Sequence, residues 1–269
     1  MAVFKKLIFG PLFLLTFAFL IFQLKSNLGS YDVIFSLSIT TLAQLLLLSG
    51  LICLSSFLFV LFVSLSSDWK IVLPVGIVAS ILPIIVIRDA TGIILCLGVG
   101  LTILFIYFTF TQKLKTYLSF EPASLFGPSI RHMAALLILV FSFTYFLSMN
   151  KIIQTQGFQI PASLIDSALK LTDQPQTIQE ETTISQAPAN LMQETLKQAV
   201  KTQLDSIIKP YLGAVPAILA VLLFFLLQSL TSLINLLIYP LLWILFYIFE
   251  KTGFIKFTEE QKTLRKMVV

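Results

Sequence analysis

Few side chains in this sequence are equipped for covalent or metal chemistry. There is a single histidine, His132, next to Arg131. An imidazole-based metal site or a Ser–His dyad therefore has one candidate at most. The two cysteines, Cys53 and Cys96, both lie in apolar runs. A thiol there behaves as a small hydrophobe, so neither a disulfide nor a metal site is expected. There is no H-E-x-x-H, G-x-S-x-G or P-loop sequence, and Leu97-Gly98-Val99-Gly100 is a glycine pair within an apolar run, without the rest of a dinucleotide fingerprint. The carboxylates available for acid–base pairing at an outer surface, Asp166, Asp173, Glu180 and Glu181, fall where the composition reads as linker. No catalytic residue, cofactor or metal is expected, and the chain reads as a protein that acts by binding.

The elements that would position these groups are set by composition. Of 269 residues, 57% are hydrophobic and 12% charged, with a mean hydropathy of +0.96. A soluble domain carries about 25% charged residues, so an ordinary soluble enzyme is excluded. The predicted class is an all-α, polytopic helical membrane protein. Six blocks free of Asp, Glu, Lys and Arg occur at 7–24, 33–66, 71–87, 90–110, 133–149 and 214–249. A bilayer core of roughly 30 Å needs about 20 helical residues. The third and fifth blocks are short and need flanking residues to complete a crossing. The second and sixth span about 50 Å as helix, too long for one upright crossing and barely enough for a hairpin.

The distribution of basic residues favours six spans over extra hairpins. With both termini cytoplasmic, the inner segments hold Lys5, Lys6, Lys70, Lys113, Lys115, Arg131, Lys251, Lys256, Lys262, Arg265 and Lys266, and the short outer loops hold only Lys25 and Arg88. This is the positive-inside pattern. The first block lacks a small-x-small site before Lys25 and reads as an uncleaved helix rather than a signal peptide. The net charge of +5 is then accounted for by lipid headgroups and requires no nucleic acid. The expected organisation is a five-span region at 1–150, an outer loop at 151–212, a sixth membrane helix at 213–249 and a basic tail at 250–269. The implied location is a cell membrane, and the absence of an N-x-S/T sequon is compatible with a bacterial cytoplasmic membrane.

The outer loop has a different composition, with five lysines against six acidic residues and many Gln, Thr and Ser. A helix is predicted to start at Pro161, and a linker to follow over 172–189. Asn190, with Gln193 three residues on, opens a second helix through a capping box. That helix carries Leu196, Val200, Leu204, Ile207 and Tyr211 at spacings of three and four, a single apolar stripe. The stripe either docks a partner or the membrane surface, or packs within the loop region and on the helix ends.

Within the spans the signals concern packing and polarity. Gly76 and Ser80 form a small-x-x-x-small pair, and Gly92, Gly98 and Gly100 thin one side of the fourth helix. Pro74 and Pro83 predict a kinked or broken third helix, which beside a Gly-rich helix is also how transporters build midplane sites. Thr40, Thr41 and Gln44 in the second block, and Gln228, Ser229, Thr231, Ser232 and Asn235 in the last, need partners in lipid. They suggest an intramembrane polar layer of Gln44, Gln228 and Asn235. The stretch 112–132, with Glu121-Pro122 and Phe126-Gly127-Pro128, reads as a breaker-rich interfacial loop, and the tail as a short basic helix that meets lipid or a partner. Two functional readings result. The first is a scaffold or accessory subunit of an envelope complex, contacting lipid and a protein partner at the outer loop or the tail. The second is a channel or carrier for a neutral or apolar solute that uses the Pro74, Pro83 and Gly98 region with Gln44, Gln228 and Asn235.

Overall fold

The computed structural model describes residues 8–29, 34, 38–66, 68–116, 121–157 and 211–255. These form six helices: α1 (Phe9–Asn27), α2 (Ile39–Ser66), α3 (Trp69–Ile87), α4 (Ala90–Thr116), α5 (Pro122–Gln156) and α6 (Val215–Lys251). No strand occurs among the described residues. All six helices are long and apolar enough to cross a bilayer, the architecture of a multi-pass membrane protein.

The bundle is organised around α2. From Ser55 to Val63 every residue is buried, including Phe57, Phe59 and Phe62. A helix without an exposed face over two turns must be surrounded, and α2 packs against all five other helices. It is 72% buried over its most apolar window, against 22% for α6. One end of the bundle is closed by aromatic rings: Phe110 lies 5.4 Å from Phe126, Phe126 4.9 Å from Phe246, and Phe249 meets Phe9 at 6.1 Å and Phe254 at 4.8 Å. The start of α1 and the end of α6 are therefore neighbours. At the opposite end Ser148 Oγ donates to the Leu28 carbonyl at 2.9 Å, tying α5 to the end of α1. There, too, α3 turns sharply into α4 through Arg88, whose left-handed φ of 57° ends α3 and whose N–H donates to Ile84 O.

Each overlong block contains one long unbroken helix among its described residues. At 28 residues, α2 is about 42 Å long and starts at Ser38, whose Oγ accepts from the Thr41 N–H as an N-cap. At 37 residues, α6 is about 55 Å long and runs unbroken through 228–232 and Pro240. Polar residues there do not force a turn because Thr231 and Asn235 face inward against α2.

The stretch 112–132 departs from the loop expected of it. α4 continues to Thr116 and α5 begins at Pro122, leaving 117–121 between them. Pro122 occupies the first helical position, where its missing N–H forfeits nothing. Gly127 is a close-approach residue rather than a breaker: a Cβ there would sit 2.9 Å from Tyr239 Cε1 of α6. α5 also runs past the polar boundary near residue 150 and ends at Gly157, whose φ is 74°.

Candidate functional site

Three arrangements in the described residues bear on function. The first is polar. On α2, Ser49, Cys53 and Ser56 recur at spacings of four and three, and on α6 Thr231 and Asn235 at four, so each set occupies one face. The two faces meet: Cys53 Sγ lies 3.8 Å from the Thr231 carbonyl and 3.9 Å from Asn235 Oδ1, acting as a weak donor to both. Around this contact Ser49, Thr231 and Gln228 keep buried side-chain oxygens without a partner, as do Ser55 on α2 and Ser142 on α5. Helices α2, α5 and α6 all pack on one another. Buried hydroxyl and amide oxygens are thus distributed through the interior of three helices.

Of the residues suggested for an intramembrane layer, Asn235 is buried in this contact and Gln228 is half-buried beside it, whereas Gln44 is exposed on the outer face of α2. Thr40 and Thr41 belong with Ser38 at the cap of α2. The residue that the sequence reading missed is Cys53. Alone it looked like a small hydrophobe, and the signal was its phase with Ser49 and Ser56.

The second arrangement is a groove between α3 and α4. Its volume is about 690 Å³, and its lining is almost wholly apolar, with Trp69, Leu73 and Ile77 on one wall and Leu104, Tyr107 and Phe108 on the other. Its floor lies at Gly76, Ser80 and Gly100. A Cβ on Gly76 would come to 3.0 Å from Ile103, and one on Gly100 to 3.2 Å from Ser80 Oγ, so the glycines bring the helices together and the larger residues splay above them. Ser80 Oγ donates to Gly76 O at 2.8 Å and offers the groove no free hydroxyl proton. α3 is helical through Pro74 and Pro83. Gly98 lies outside this lining, with Val140 of α5 packed where its Cβ would be, at 2.5 Å. Pro74, Pro83 and Gly98 therefore do not form a shared opening: two lie within a continuous helix and the third seals a helix–helix contact.

The third is the end of α6 that adjoins the polar segment. Leu196, Val200, Leu204 and Ile207 lie outside the described residues. Tyr211, the last member of that stripe, is 64% exposed just before α6 begins. His132 and Arg131 are exposed on α5, with the Arg131 guanidinium 5.2 Å from the Tyr239 ring centroid. Among the described residues no cluster of three or more His, Cys, Asp or Glu could hold a metal. Comparison with protein-family models, curated proteins and solved structures finds no match, so the functional reading rests on this geometry.

Proposed function

We propose that the chain is a non-catalytic scaffold or accessory subunit of a membrane complex, with both termini cytoplasmic and a protein partner held at the outer end of α6. One observation carries this reading. The outward face of α6 is apolar from Ile218 to Ile248, through Leu222, Phe225, Leu233, Leu236, Trp243 and Ile244, broken mainly by Ser229 and Ser232. That face is about 45 Å long against a hydrocarbon core of roughly 30 Å. At the average tilt of about 20° it covers about 42 Å of membrane depth, about 12 Å more than the core.

Interfacial chemistry indicates which end is left over. Trp243 and Tyr247 stack at 5.8 Å, and Lys251 Nζ lies 5.1 Å from the Tyr247 ring centroid, an aromatic and basic anchor of the kind found at headgroup level. With that anchor at one boundary, the other falls about 20 residues back, near Leu223. Ile218, Val221 and Leu222 then project beyond the bilayer beside exposed Tyr211. The orientation follows from the same anchor: Lys70, Lys113, Lys115, Arg131 and Lys251 share its end of the bundle, which the positive-inside bias assigns to the cytoplasm.

The test is a photo-crosslinker at Leu222 in the native membrane, together with Val200, Leu204 and Ile207 changed to Asp. The expected result is one co-purifying polypeptide at constant stoichiometry, crosslinked at Leu222 and lost in the Asp variant while the thermal unfolding of the bundle is unchanged. Crosslinks confined to this chain, or co-purification that survives the substitutions, would overturn the reading.

A second reading, a carrier for a neutral small solute, draws on the unpartnered oxygens of Ser49, Ser142, Gln228 and Thr231, which could exchange hydrogen bonds with a passing polar group. It predicts flux into proteoliposomes that Gln228→Leu and Asn235→Leu abolish and outward-facing Gln44→Leu does not. Equal flux in all three variants would exclude the path between α2 and α6.

A further inference from the structure

The groove between α3 and α4 has a length, a polarity and a charged mouth that together specify an occupant. From Trp69 to Ile81 its α3 wall rises about 18 Å, close to the half-thickness of about 15 Å of a bilayer core. It therefore runs from one boundary to near the midplane, the depth of a single leaflet. Trp69, 56% exposed, and Tyr107 stand at its outer end, where amphipathic rings settle at headgroup level. Ile81 and Cys96 close its inner end, among residues with no charge.

The mouth is basic. Lys70 follows Trp69 on the first turn of α3, and Lys113 and Lys115 lie on the last turn of α4, beyond Tyr107 and Phe108. Asp68, the N-cap of α3, accepts from the Lys70 N–H at 3.2 Å and keeps its charge, against the three lysines Lys70, Lys113 and Lys115. A transmembrane helix of a partner would need a trough running the full membrane thickness, whereas this one ends at Ile81 and Cys96, short of Arg88 at the far end of α3.

We propose that this groove is a binding site for one acyl chain of an anionic phospholipid, with the chain lying over Gly76, Ser80 and Gly100 and the headgroup phosphate at Lys70 and Lys113. The inference is independent of the scaffold reading, since it concerns a different face of the bundle. The apolar walls dictate a hydrocarbon ligand, and the internally satisfied Ser80 hydroxyl leaves no polar demand on it. The lysines discriminate between headgroups, at about fivefold per cation near the surface.

The protein's two tryptophans make the test direct. Trp69 lines the groove, while Trp243 is exposed on the outer face of α6 and samples ordinary surrounding lipid. Trp243→Phe and Trp69→Phe variants are reconstituted into phosphatidylcholine vesicles containing either brominated phosphatidylglycerol or brominated phosphatidylcholine. The expected result is that brominated phosphatidylglycerol quenches Trp69 at lower mole fraction than brominated phosphatidylcholine does, by a wider margin than at Trp243, which has Lys251 alone nearby. Lys70→Gln should weaken the preference by about fivefold. Cys96→Phe, which fills the inner end, should abolish it with helical content unchanged; if that variant fails to fold, Leu104→Phe tests the same point from the opposite wall. Equal quenching of both tryptophans by both lipids would reduce the groove to ordinary lipid contact and overturn the proposal. Trp69 shielded from either lipid relative to Trp243 would mean a protein helix fills the groove, and would overturn it equally.

Discussion

Gly98 leaves no room for a methyl group. A Cβ there would lie 2.5 Å from Val140 Cγ1 and 3.0 Å from Cγ2, so Gly98→Ala must move either a β-branched side chain or a helix. We expect it to destabilise the bundle by about 1–3 kcal/mol, read as a lower thermal midpoint in detergent. Val140→Ala should restore most of the loss, because it vacates the space that the new methyl needs; failure of the pair to compensate would show that the two do not share one contact. Asn235 behaves differently. Its contact with Cys53 is a long S–H···O interaction, and polar bonds between membrane helices are worth roughly 1 kcal/mol or less. Asn235→Leu should therefore shift the midpoint little, and a loss of several kcal/mol would show that this carboxamide organises far more of the interior. Glycines at 76, 98, 100 and 127 are legible in the sequence as small. Which neighbour each accommodates is not, because Ile103, Val140, Ser80 and Tyr239 are set by interhelical register.

Helix ends illustrate the next scale. Asp68 caps α3 through the Lys70 N–H and directly precedes Trp69 of the groove. Asp68→Ala should cost about 1 kcal/mol of helix stability, measurable as faster amide exchange over 69–72 with the remaining helices unaffected. Uniform acceleration across all six helices would mean that α3 does not open as a local unit. The segment from Glu121 to Pro128 shows why breakers mislead. Pro122 at a first turn and Gly127 at a crossing are helix-compatible, and only the position of Tyr239 reveals the second role. The two overlong helices were ambiguous for a related reason. Polar residues at 228–232 are consistent with a turn until a partner helix buries some of them, and here α2 covers Thr231 while Ser229 and Ser232 stay exposed.

For the whole molecule, the contact of Phe9 with Phe249 puts the start of α1 and the end of α6 side by side. In a background with Cys53 and Cys96 replaced by Ala, Lys25→Cys and Lys113→Cys should react with a membrane-impermeant thiol reagent from opposite faces of sealed vesicles. Labelling of both from one face would contradict six crossings. The class, the number of membrane helices and the absence of catalytic and metal-binding motifs could all be read from the sequence, because apolar length and the lack of ionisable groups are properties of each segment alone. The tertiary structure decided what depends on which faces meet: α2 as the central helix, Cys53 rather than Gln44 against Thr231 and Asn235, and which neighbour each glycine contacts. It also decided the groove. Trp69 and Tyr107, Gly76 and Gly100 are far apart along the chain, and only the packing of α3 on α4 makes them the walls and floor of one cleft.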